Sequence, residues 1–138
     1  MRCILVLAAV TAMMIGTPAQ AQSCDDNFSV EGAPLLTAMN FRASQTFRGL
    51  NQKKAIDNLN SAMLAEGFEN ITVNRARGAL TAIQETSGSG REQTLRVTAR
   101  KIGKSIRVDA IFMIQIGQVA DATTIRGYLC RVIEAAAY

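Results

Sequence analysis

The spacing of hydrophobic positions along this chain changes period, and each change marks an element. In NQKKAIDNLNSAMLAEGF, residues 51–68, Ala55, Ile56, Leu59, Ala62 and Met63 recur at helical spacing, while Lys53, Lys54, Asp57 and Asn60 fill the other face. This predicts an amphipathic helix. Asn51 has the chemistry to cap its first turn, Leu50 can pack on Ala55 as a staple, and Gly67 closes the end. Upstream, PLLTAMNFRASQTF alternates in part through Leu35, Thr37, Met39 and Phe41, predicting a first strand followed by a loop around Gly49.

After Gly67 the period falls to two. FENITVN and ALTAIQE, joined through Arg75-Ala76-Arg77-Gly78, predict a hairpin, and SGSG at 87–90 predicts a turn. TLRVTAR sends Leu95, Val97 and Ala99 one way and Arg96, Thr98 and Arg100 the other; KIGK turns the chain; SIRVDAIFMIQIG then places Ile106, Val108, Ala110, Phe112 and Ile114 on one face. Ile111 and Met113 interrupt the polar alternation, so the second face of this strand is expected to be covered near its end. In the tail, Ile125, Tyr128, Leu129, Val132, Ile133 and Ala136 follow the helical period, with Asp121 or Thr123 as the cap. Gly127 costs such a helix about 1 kcal/mol, and the β-branched content leaves a strand over 122–136 as the alternative. The expected order is strand, helix, four strands, helix: an α+β domain with an antiparallel sheet of about five strands packed on one or two helices.

The N-terminus follows a different rule. Arg2, the apolar run CILVLAAVTAMMIG, Pro18 and the small-residue site Ala19-Gln20-Ala21 read as a secretory signal over 1–21, cleaved after Ala21. The run is short of the roughly 20 apolar residues that span a bilayer. This divides the chain into a signal at 1–21, a segment at 22–34 tethered by Cys24, and a single domain at 35–138. Periplasmic location is the expectation, with secretion as the alternative. Cleavage removes Cys3 and leaves Cys24 and Cys130, an even pair in an oxidising compartment, so a disulfide between them is expected. Such a loop stabilises by roughly 4 to 5 kcal/mol in the chain-entropy view. The alternatives are a lipid anchor at Cys24, although Ala21-Gln22-Ser23 lacks the expected leucine, and unpaired thiols.

Charge and composition narrow the chemistry. The net charge of +4 becomes +3 once Arg2 is removed, too mild to imply nucleic acid by itself. The chain has no histidine, which excludes His-dependent triads and the usual zinc sites. No catalytic residue, metal ligand or cofactor site is expected. Gly103-Lys104-Ser105 resembles the end of a phosphate loop, but Thr98 stands where the earlier glycine belongs, and a hairpin turn is the better reading. Gly88-Ser89-Gly90 lacks the third glycine of a dinucleotide site. Asn70-Ile71-Thr72 fits a glycosylation acceptor but lies in a predicted strand. Glu85 and Glu92 flank the glycine loop and can converge across a hairpin, yet nothing supplies a cleft for acid/base work. Asp109 is expected to form a cross-strand ion pair.

The stretch from AMLAEGF through ITVNRARGALTAIQ to TLRVTARKIGKSIRVDAIF resembles the helix-then-meander modules of uncharacterised bacterial envelope proteins and, more distantly, repeats in lipoproteins of the outer-membrane β-barrel assembly machinery. The likeness is carried by Glu66-Gly67-Phe68 and the turn from Arg75 to Gly78, and it covers somewhat over half of the mature chain. It implies a non-enzymatic envelope role and assigns no binding residue.

One constellation suggests a ligand. Arg91, Arg96, Arg100, Lys101, Lys104 and Arg107 belong to one predicted hairpin, with Arg96, Arg100 and Arg107 opposite the core. Such a ladder can bind phosphate or carboxylate: lipid headgroups, lipopolysaccharide, peptidoglycan or an acidic protein. The plainer reading is a solvated face that discourages edge aggregation. A nucleic-acid partner is not expected, since the face lacks interleaved aromatics. A homodimer through a sheet edge or through Ile111 and Met113 is a further alternative, and a hydrolase or redox protein without a recognisable motif is another.

Overall fold

A computed structural model describes residues 22–85 and 90–138. The predicted export signal and most of the SGSG turn lie outside the described residues. The period-two segments form one antiparallel sheet: β1 (Ser29–Glu31), β2 (Met39–Arg48), β3 (Thr72–Asn74), β4 (Ala79–Glu85), β5 (Glu92–Ile102) and β6 (Ser105–Ile114), in the spatial order β1-β2-β6-β5-β4-β3. Two helices, α1 (Gln52–Ala65) and α2 (Ala122–Glu134), complete the α+β architecture.

Alternation explains the sheet. In β6 every second residue from Ile106 to Ile114 is buried, and Phe41 and Ala43 of β2, Leu80 and Ala82 of β4 and Leu95, Val97 and Ala99 of β5 share that inner face. Both helices cover it. Ala55, Ile56, Leu59 and Met63 of α1 and Leu129, Val132 and Ile133 of α2 join the same core cluster. At one end, Phe68 stacks on Tyr128 with ring centroids 5.6 Å apart, and Phe112 meets both edge-on. Burial pushes the Tyr128 phenol above the ordinary tyrosine value, and the nearby Glu66 carboxylate pushes it further. The outer face carries no helix among the described residues.

The helix ends follow their caps. The Asn51 side chain accepts from the Lys54 N–H at 3.1 Å, and Asp121 accepts from the Thr124 N–H at 2.7 Å. Asp121, rather than Thr123, therefore caps α2, and the tail is a helix rather than a strand: the cap sets its phase, and Tyr128, Leu129, Val132 and Ile133 then all face the core.

Three further expectations are corrected. The sheet has six strands because Ser29–Glu31 pairs with β2. The first long strand begins at Met39 rather than Leu35: Thr37 donates its N–H to the Ala33 carbonyl at 3.0 Å, and Leu35, with φ of 67°, is in the left-handed region, so the segment is closed as a turn. Ile111 and Met113 are half-buried without a covering layer. Their shielding comes from register neighbours, Arg42 and Arg96 beside Ile111 and Asn40 and Thr94 beside Met113.

Cys24 and Cys130 are disulfide-bonded with Cα atoms 5.5 Å apart, joining the segment before β1 to α2 across 106 residues. The same segment is seated by the Asn27 side-chain amide, which donates to the Ser44 carbonyl at 3.1 Å, and by an exposed Arg126–Asp25 pair at 3.5 Å.

Candidate anion-binding surface

Strand parity puts Arg96 and Arg100 of β5 and Arg107 and Asp109 of β6 on the outer face, and the register sets Arg100 directly opposite Arg107. Two adjacent guanidinium groups need a counter-charge, and Asp109 supplies it. Its carboxylate accepts from Arg107 Nε at 2.8 Å and from Arg100 Nη2 at 2.9 Å. The expected cross-strand pair of Asp109 is therefore present, made with Arg100. Arg107 also donates to Ser44 Oγ at 3.2 Å, and Arg42 pairs with Glu31 at 3.3 Å. Arg42, Ser44, Arg100, Arg107 and Asp109 line a shallow concavity of about 400 Å³. Its cations are largely answered by the chain's own carboxylates. Arg96, exposed beside Ile111, has no ion pair among the described residues.

The six predicted cations do not form one cluster. Arg91 stands at the opposite end of β5 from Arg100, roughly 30 Å away at strand rise. Its Nη1 donates to the Ile116 carbonyl at 2.9 Å, and its guanidinium lies on Gly117, where a Cβ would come within 2.6 Å. Arg91 thus ties the loop before α2 to the start of β5. Lys101 has core parity, opposite Ile106, but lies beyond the hydrophobic layer and is exposed. Lys104 sits in the β5–β6 turn, so Gly103-Lys104-Ser105 is a hairpin.

The register brings other segments to that turn. Arg48 at the end of β2 is opposite Ser105, which is itself opposite Ile102. Gly49 donates its N–H to the Lys104 carbonyl at 3.1 Å, and the Gln52 side chain at the start of α1 donates to the Ala99 carbonyl at 2.8 Å. Ala99 donates to the Gly78 carbonyl at 2.8 Å, placing the β3–β4 turn alongside. One end of the molecule therefore holds Arg48, Lys53, Lys54, Arg77, Lys101 and Lys104, all exposed and without an ion pair among the described residues. Arg75 is there too, but pairs with Asp57 at 2.7 Å. The N-terminus of α1 adds its partial positive charge. A concavity of about 640 Å³, lined in part by Phe47, Arg48, Leu50, Asn51 and Lys54, opens at this end.

The chain matches no protein-family model and no curated protein. Of the cations at the basic end, the hairpin reading contained Lys101 and Lys104. It missed Arg48, Lys53, Lys54 and Arg77, which come from the end of β2, the start of α1 and the β3–β4 turn and join that hairpin only in the folded chain. The available signal was the Lys53-Lys54 pair at a predicted helix start, an unusual place for two cations.

The far end carries Glu31, Glu69, Glu85, Glu92 and Asp121. Glu85 and Glu92 do converge, directly opposite each other across β4 and β5. Both are exposed, and a shallow depression beside Glu85 is lined by Gly67, Glu69, Asn70, Ile83 and Gln84. Among the described residues no group of three or more acidic or cysteine side chains is arranged to hold a metal ion. Asn70, with φ of 52°, lies just before β3 rather than within a strand.

Proposed function

We propose that this is a small exported, non-enzymatic envelope module that holds an anionic envelope component against the basic end of its sheet. The observation that carries the reading is clustering: six unpaired cations from four separate segments gather at the β5–β6 turn and the α1 start, where Asp57 answers only Arg75, while Glu31, Glu69, Glu85, Glu92 and Asp121 lie at the other end. A sheet face covered only for solubility needs mixed signs, not poles. Export is supported by the leader-like sequence at 1–21 and by the disulfide, which persists in oxidising compartments such as the periplasm.

Two variants with the same change in net charge test it. Lys101→Glu/Lys104→Glu alters the basic end, whereas Arg96→Glu/Arg126→Glu alters sites away from it. In sedimentation with anionic phospholipid, lipopolysaccharide and peptidoglycan, the first variant is expected to lose binding by at least about tenfold at low salt while the second retains most of it. Equal losses would reduce the effect to net charge, and no loss in either would remove the basic end as the binding surface.

A further inference from the structure

Resting on that reading, we propose that the anionic partner is a lipid bilayer surface, and that Ile102 enters it at the headgroup boundary. Ile102 is the last residue of β5, next to the turn, with Lys101 before it and Gly103-Lys104 after it. It is 52 % exposed. Its register partner is Ser105, so no apolar side chain stands opposite it on β6.

The placement discriminates between anions. A soluble or glycan-borne phosphate satisfies lysines but gains nothing from an aliphatic side chain. A bilayer uses both: each lysine near an anionic surface strengthens binding roughly fivefold, and the aliphatic group leaves water for the acyl boundary. Lysine stems can lie along apolar surface while their ammonium groups stay with the phosphates. Arg48, Lys53 and Lys54 stand at the same end of the molecule, so the hairpin tip is flanked by unpaired cations. The four most exposed of the other aliphatics, Leu35, Leu36, Ile116 and Val119, stand at the end that carries Glu31, Glu69, Glu85, Glu92 and Asp121, where an anionic surface is less favoured.

The chain contains no tryptophan, so Ile102→Trp gives a single reporter. The disulfide-bonded protein carrying it is mixed with phosphatidylcholine vesicles with and without phosphatidylglycerol. The expected result is a blue-shifted emission, quenched by brominated acyl chains, with the phosphatidylglycerol vesicles alone. Ile102→Ser is expected to bind those vesicles on the order of tenfold more weakly, with an unchanged Tm. Vesicle binding with water-like tryptophan emission, or an Ile102→Ser variant that binds as well as the parent, overturns the insertion. Retention on immobilised polyphosphate, lost in Lys101→Glu/Lys104→Glu, without any vesicle binding overturns the membrane partner and leaves the anion-binding reading standing. Binding to neither overturns both.

Discussion

Ala99 holds Gly78 from two sides: its N–H donates to the Gly78 carbonyl at 2.8 Å, and its own carbonyl lies 2.4 Å from where a Cβ on Gly78 would stand. Gly78 also has φ of 62°, which an L side chain adopts at a cost. The Ala99 carbonyl is engaged by Gln52, so the backbone cannot retreat without loosening the start of α1. Gly78→Ala should therefore destabilise by about 2 to 4 kcal/mol. Urea titration checks this, and a loss below about 1 kcal/mol would show that the turn relaxes freely.

The Cys24–Cys130 bond closes a loop with a sequence separation of 106 residues. Its removal, by reduction or by paired serine substitution, is expected to cost roughly 4 to 5 kcal/mol, mostly by freeing the unfolded chain. Denaturation curves with and without reductant measure it directly. Coincident curves would mean that the Asn27 and Arg126 contacts already hold the segment as well as the bond does.

Gly127 sits inside α2, and a Cβ there would meet the Arg131 guanidinium at an ordinary 3.7 Å. Gly127→Ala should stabilise by about 0.5 to 1 kcal/mol through helix propensity. A fall in Tm would reveal crowding along α2.

The Thr124 hydroxyl and N–H both donate to Asp121, the hydroxyl bond being the larger cause that holds its carboxyl below the usual aspartate value. A depressed folded value gives stability that is present above the unfolded pKa, about 3.9, and is lost as pH falls through the folded value. Asp121→Asn keeps a cap without a titrating group. The stability advantage of the parent over this variant is thus expected to shrink in acid, and parallel pH profiles would remove Asp121 from the acid response.

Glu85 and Glu92 are like charges in direct register at the loop end of the β4–β5 hairpin. Glu92→Lys converts repulsion to attraction and should stabilise by about 0.2 to 1 kcal/mol. The gain should fade with added salt, and a salt-independent change would point instead to strand propensity.

The sequence by itself determined the elements whose signals are local. Side-chain period distinguishes α1 from β5 and β6 because helix and strand geometry repeat every 3.6 and two residues, and Asn51 caps where a short polar acceptor can reach back to Lys54. Cys24 and Cys130, the two cysteines outside the expected leader, pointed to a disulfide with a lipid anchor or free thiols as alternatives, and the fold pairs them. β1 was hidden because three residues carry too little period, and Leu35 because its neighbours imitate alternation while a turn sets its backbone. Charge grouping was beyond local reading. Only the tertiary structure placed Arg48, Lys53 and Arg77 at the same end as Lys104, sent Arg91 to the far end, and set Arg100 and Arg107 on Asp109. Electrostatic neighbours are chosen by strand register and sheet order, which core packing fixes and no spacing along the chain records.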